Sequence, residues 1–107
     1  MTRFPCPYLR GEVELTDERE RHIAETHPDL LPEHRDRIAH TLADPDQVRR
    51  SVRFAGARSF VRWYDDLRGG KHVVVVVVTE AAAGRHWIVT AYLARKLAEG
   101  EVEWKRN

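Results

Sequence analysis

Apolar residues recur at two different spacings along this chain, and the change falls near Gln47. The start, Thr2 to Leu15, reads as extended: Pro5, Pro7 and Gly11 interrupt it, and Val13 and Leu15 alternate with Glu12 and Glu14 as in a short half-buried strand. Thr16 is then a suitable N-cap, with Asp17 and Glu18 in the first turn, where the helix dipole favours acids. A first helix is expected from Asp17 to about Thr26 or His27, because Pro28 disfavours helical backbone in the residue before it. Leu15, Arg19, His22, Ile23 and Thr26 fall at helical spacing, which sets His22 on or beside the buried stripe. A second helix is expected from near Pro32 to about Leu42, with Leu31, Ile38, Ala39 and Leu42 on its apolar side and Asp44-Pro45-Asp46 as its stop.

From Gln47 the period is two. Strands are expected over Val48–Phe54, Arg58–Asp65, His72–Thr79 and Arg85–Leu93, joined by Ala55-Gly56-Ala57, by Leu67-Arg68-Gly69-Gly70 and by a loop over Glu80–Gly84. The third contains six consecutive valines, which suits a central strand buried on both faces. Ala91–Glu99 has helix-forming composition, so one turn is allowed after Leu93 before a final extended Glu101–Trp104. The resulting fold class is α+β: two N-terminal helices packed on a four-stranded antiparallel meander, as one domain over residues 1–107.

Composition narrows the function classes. With 42% apolar and 33% charged residues in 107, the chain is globular rather than disordered. Its formal charge of +1 hides an asymmetry: Arg10–Asp46 holds eleven acids against five Lys/Arg, and Gln47–Asn107 twelve Lys/Arg against six acids. A phosphate-rich partner would therefore meet the second half. The single Cys6 rules out an internal disulfide and a CxxC knuckle, and between two prolines it reads as an apolar filler. His22 and His27 lie about 140° apart around a helix, there is no HExxH, and no metal or cofactor is expected. No apolar N-terminal run suggests a signal peptide, and Val73–Val78 is too short to span a bilayer, so a cytoplasmic protein without membrane association is expected.

Two segments offer chemistry. Strict alternation along the fourth strand gives Trp87, Val89, Ala91 and Leu93 on one face and His86, Ile88, Thr90 and Tyr92 on the other. An imidazole, a hydroxyl and a phenol beside the central strand fit a site, and they equally fit the edge of a solvated sheet face. The two preceding strands carry Arg49, Arg50, Arg53, Arg58 and Arg62 among Phe54, Phe60, Trp63 and Tyr64, with no acid between Val48 and Tyr64. Guanidinium groups grip phosphates and aromatic rings stack on bases, so Arg49, Arg53, Arg58, Phe60 and Tyr64 are candidate RNA-binding residues, as against arginines that merely solvate exposed strands.

The run Leu15–Ile23, then His27-Pro28, Thr41–Asp46, Phe60–Tyr64 and Ile88–Tyr92, resembles the phage- and toxin-associated members of the barnase–EndoU–colicin–RelE nuclease superfamily, over nearly all of Leu15–Trp104. The resemblance implies N-terminal helices against a four-stranded antiparallel sheet and metal-independent cleavage of RNA, tRNA among the candidate substrates, through a 2′,3′-cyclic phosphate. It also implies a toxin with an antitoxin or immunity protein as partner. Carried onto this sequence, the catalytic set would be His22 as acid or base, Arg62 for phosphoryl charge, and Thr90 and Tyr92 as hydroxyl donors. The rival classes are a non-catalytic nucleic-acid-binding domain and a protein-interaction domain whose basic face docks an acidic partner. RNA ends formed in EDTA separate the enzyme from both.

Overall fold

A computed structural model describes residues 1–51, 55–98 and 100–107. The chain runs β1 (Thr2–Cys6), a 3₁₀ turn (Pro7–Leu9), β2 (Gly11–Leu15), α1 (Asp17–Thr26), α2 (Arg35–Ala43), β3 (Gln47–Arg50), β4 (Ala57–Tyr64), β5 (Lys71–Glu80), β6 (Arg85–Ala94) and β7 (Glu101–Lys105). Among the described residues these strands form a single seven-stranded sheet in the order β1-β2-β6-β5-β4-β3-β7. The class is α+β, but the four-stranded meander is corrected. The helices are mid-chain, because Thr2–Leu15 folds as a hairpin before them, reversing at Arg10, whose φ of 56° is left-handed. The sheet is mixed, because β2 lies parallel to β6 with Glu14 opposite Trp87, while β7 returns to pair antiparallel with β3.

α1 begins where Thr16 Oγ1 accepts from the Arg19 N–H at 3.1 Å, and it ends with His27 as C-cap ahead of Pro28. α2 starts later than Pro32, since Leu30 and Leu31 are both buried in the turns that precede it. Both helices cover one face of the sheet. There Ile23, Ile38 and Leu42 pack with Val13, Leu15, Phe60, Val73, Val75, Val77 and Ile88 in the main core. β5 pairs with β4 on one side and β6 on the other, and Val73 to Val77 are buried as a central strand requires, with Val78 half-buried.

The second face is not bare. Ala57, Val61, Val74 and Val76 form a smaller cluster on it, covered by Leu97. Leu97 belongs to the connection that leaves β6 and reaches β7 beyond β3, so this strap crosses β5, β4 and β3. Arg49 holds it, donating to the carbonyls of Ala98 at 2.9 Å and Gly100 at 3.2 Å.

β7 is clasped from the helix side through Glu103. Its carboxylate accepts from the Tyr8 hydroxyl at 2.5 Å, Arg58 Nε at 2.8 Å and Arg50 Nε at 3.0 Å. Burial would raise the Glu103 pKa, but these three donors outweigh it and bring the group down to about 2. The same burial, with the bond to Glu103, pushes Tyr8 up to about 12. A depressed carboxylate stabilises the fold fully above its unfolded pKa of about 4.3. That contribution disappears as pH falls from there through the folded value of about 2. Glu103→Gln should lower stability at neutral pH by about 2–3 kcal/mol, as loss of a charged multiple hydrogen bond does. In urea titrations the gap between variant and wild type should close as the pH approaches about 2. A gap constant across that range would assign Glu103 a packing role only.

Candidate active site

The parallel pairing of β2 with β6 determines what lies beside the second half of β6. With Glu14 level with Trp87, the chain leaves β2 at Leu15 and enters α1, which packs along β6. A ten-residue helix rises about 15 Å, and five strand residues span about 16 Å. The end of α1 therefore draws level with Tyr92, and the His27 ring stands 5.9 Å from the Tyr92 ring, tilted by 38°. His27 is fixed through its backbone. Its N–H donates to Ile23 O at 2.7 Å, and its carbonyl accepts from Leu30 and Leu31 at 3.0 and 3.2 Å.

A bulge sets which hydroxyls join it. The β5–β6 register shifts between Val76 and Val77, so that Val77 opposes Ile88 while Val76 opposes Thr90. The extra residue, Val89, turns Ile88 into the main core with Ala91 and sends Thr90 and Tyr92 to the other face, beside Val74 and Val76. The strict alternation expected along this strand is thus corrected: Ile88 and Tyr92 do not share a face. Among the described residues, the side chains of His27, Thr90 and Tyr92 make no hydrogen bond, and all three are half-buried. Arg95 and Lys96 follow β6 directly, exposed and without an ion pair among the described residues.

The row of rings continues across the sheet. His72 lies opposite Ala94, one step diagonally from Tyr92 on the same face, and pairs on its other side with Trp63. The His72 and Trp63 rings meet edge-to-face at 4.8 Å. Trp63, 40% exposed, donates through Nε1 to Asp65 at 2.5 Å.

Of the residues expected to act together, Thr90 and Tyr92 are neighbours, and His22 and Arg62 are elsewhere. His22 is exposed on the outer side of α1 in a shallow depression with Glu18, Arg19, Arg21 and Glu25, away from the sheet. The 140° between His22 and His27 sends one ring outward and the other to β6. Arg62 opposes Val73 on the helix face, bonds the Asp44 carbonyl at 2.6 Å and carboxylate at 3.1 Å, and lies over the Tyr64 ring.

The expected RNA-binding residues fare similarly. Arg58, Phe60, Arg62 and Tyr64 do share a face, but it is the one the helices cover. Phe60 is fully buried. Tyr64 is nearly so; burial raises its pKa, and its hydroxyl meets His40 Nδ1 at 3.1 Å. Arg58 is committed to Glu103 and Arg49 to the strap, while Arg53 lies outside the described residues. Among the described residues, Arg49, Arg58 and Arg62 are thus engaged within the fold rather than free to meet a ligand. The acids involved, Asp44 and Glu103, come from outside the segment that looked acid-free.

His27 is the candidate that helical spacing misses. The stripe rule selects His22 because it falls between core positions, whereas His27 closes the helix, where periodicity says nothing. The signal was the His27-Pro28 pair, which fixes where the helix must stop.

No group of three or more His, Cys, Asp or Glu among the described residues is arranged to hold a metal ion, and no helix among them is long and apolar enough to cross a membrane. No protein-family model, curated protein or solved structure matches the chain.

Proposed function

We propose that the chain is a metal-independent endoribonuclease, of the kind its sequence motifs resemble, working at the end of β6. The observation that carries this reading is the approach of His27 to Tyr92, 5.9 Å between ring centroids, with Thr90 beside Tyr92 on the same face. Three side chains able to move or donate protons have no hydrogen-bond partner there among the described residues, whereas the arginines of β3 and β4 are engaged internally. The reading consequently draws no support from those arginines.

In the reaction His27 takes the proton of an RNA 2′-hydroxyl as its oxygen bonds to phosphorus. The bond from phosphorus to the 5′-oxygen breaks, that oxygen takes a proton from Tyr92, and a 2′,3′-cyclic phosphate remains. Thr90 donates to a phosphoryl oxygen, and Arg95 and Lys96 supply the positive field that attracts the backbone. An antitoxin or immunity protein would have to cover this end of the sheet.

The test is incubation of the purified protein with total RNA in EDTA, followed by end-group analysis. New 2′,3′-cyclic phosphate termini are expected. RNA retained intact at low salt would assign a binding domain instead, and RNA neither bound nor cut would leave the protein-interaction class.

A further inference from the structure

We propose that Trp63 and His72 form a stacking subsite that holds an unpaired nucleobase of single-stranded RNA beside the His27–Tyr92 pair. The proposal rests on the ribonuclease reading for the identity of the strand, and on its own observations for the subsite.

Trp63 is a large indole left 40% exposed in a chain whose other aromatic residues on β4, Phe60 and Tyr64, are buried. It is also held in place. Asp65 accepts a hydrogen bond from its Nε1–H, Asp46 accepts one from its backbone N–H at 2.7 Å, and the His72 ring abuts it at 4.8 Å. Gly70 closes against it so tightly that a Cβ there would sit 2.6 Å from Trp63 Cζ2, and the Gly70 φ of +106° also excludes a side chain. A ring fixed on several sides and exposed on the remainder loses little freedom when a base stacks on it.

His72 adds a polar edge. Its Nδ1 is buried with no hydrogen-bond partner among the described residues. Burial lowers its pKa, with Asp46 acting the other way, which favours the neutral ring. Burying a bare lone pair rather than an N–H at Nδ1 leaves the proton on Nε2, which has no protein partner among the described residues and can donate to an acceptor on a base.

The surroundings fit a single strand. From Trp63 through His72 and Tyr92 to His27, rings lie on the neighbouring strands β4, β5 and β6 and at the end of α1, and a duplex would keep its bases stacked and unavailable to them. Arg95 and Lys96, exposed and without an ion pair among the described residues, begin the strap beside this row, where the phosphates of a bound strand would pass. Stacking with backbone cations is the usual mode for unpaired RNA, and an acidic protein segment would have no use for the indole.

The test uses a five-nucleotide oligoadenylate and protein carrying His27→Ala, so that RNA survives the titration. Adding Trp63→Ala should weaken binding by about 5–150-fold, the usual worth of one stacked base, and Trp63→Phe by less. The same sequence as a duplex should show no dependence on Trp63. If Trp63→Ala fails to fold, the emission of Trp63 alone, in a Trp87→Phe/Trp104→Phe background, should be quenched by the oligonucleotide. An unchanged affinity or emission overturns the subsite. So does polyglutamate competing as well as RNA, which would assign the face to an acidic protein. Trp63-dependent binding by a wild-type protein that cuts no RNA keeps the subsite and rejects the nuclease. Cleavage indifferent to Trp63 does the reverse.

Discussion

His27→Ala should lower the rate of RNA cleavage by about 10²–10⁴-fold, the usual contribution of a general acid or base, with little change in KM. His22→Ala should leave both constants where they were. The fold survives either change, since His27 caps α1 through its backbone N–H and carbonyl, which any residue supplies, and His22 is exposed. Initial rates on a fluorogenic RNA oligonucleotide in EDTA measure both variants, with thermal melting as the control for folding. The pair is decisive because the two histidines lie on one short helix and differ in direction. A severe loss with His22→Ala and none with His27→Ala would restore the residue that spacing favours and remove the one geometry favours.

The second large effect concerns stability. Phe60→Ala should destabilise the protein by about 3–5 kcal/mol, because Phe60 is fully buried and deleting its ring leaves a cavity beneath the helices. The edge-to-face contact with Tyr8, at 5.8 Å between centroids, is lost with it. Urea unfolding gives the magnitude. Phe60→Leu, which keeps much of the volume, should retain the fold and bind oligoadenylate as the wild type does. Weakened binding by folded Phe60→Leu would return Phe60 to the RNA-contacting set from which its burial removes it.

How much of this was legible in the sequence varies with the range of the interaction. α1 was legible at both ends because its signals are local: a threonine cap, acids in the first turn and a proline after the last. β5 was legible because six β-branched residues without polar alternation have only the middle of a sheet to occupy. The partners of β1, β2 and β7 were not. Each is five residues long, and alternation in so short a run identifies a strand without naming its neighbour. Two faces were harder still. Alternation alone puts Arg58, Phe60, Arg62 and Tyr64 on one face, yet apolar residues on both faces of β4 and β5 gave no sign of which face the helices would take. At the site, Thr90 and Tyr92 were found by residue type. The bulge that directs them is a register event between two strands and leaves no mark on either sequence alone.

The valine run has a consequence beyond the folded state. Val73 to Val78 is uncharged, β-branched throughout and free of Pro and Gly, the composition of segments that stack into cross-β fibrils. The native sheet disarms it by pairing it on both sides, and the outer strands are blunted: Pro5 in β1 lacks an N–H, and the register of β7 slips opposite Val48 and Arg49. Folded molecules therefore have little tendency to join edge to edge, while unfolded ones expose an adhesive segment at once. Heating should produce aggregates faster than refolding recovers them, so the apparent melting temperature should rise with scan rate, and shelf life will be governed by the rate at which β4 and β6 release β5.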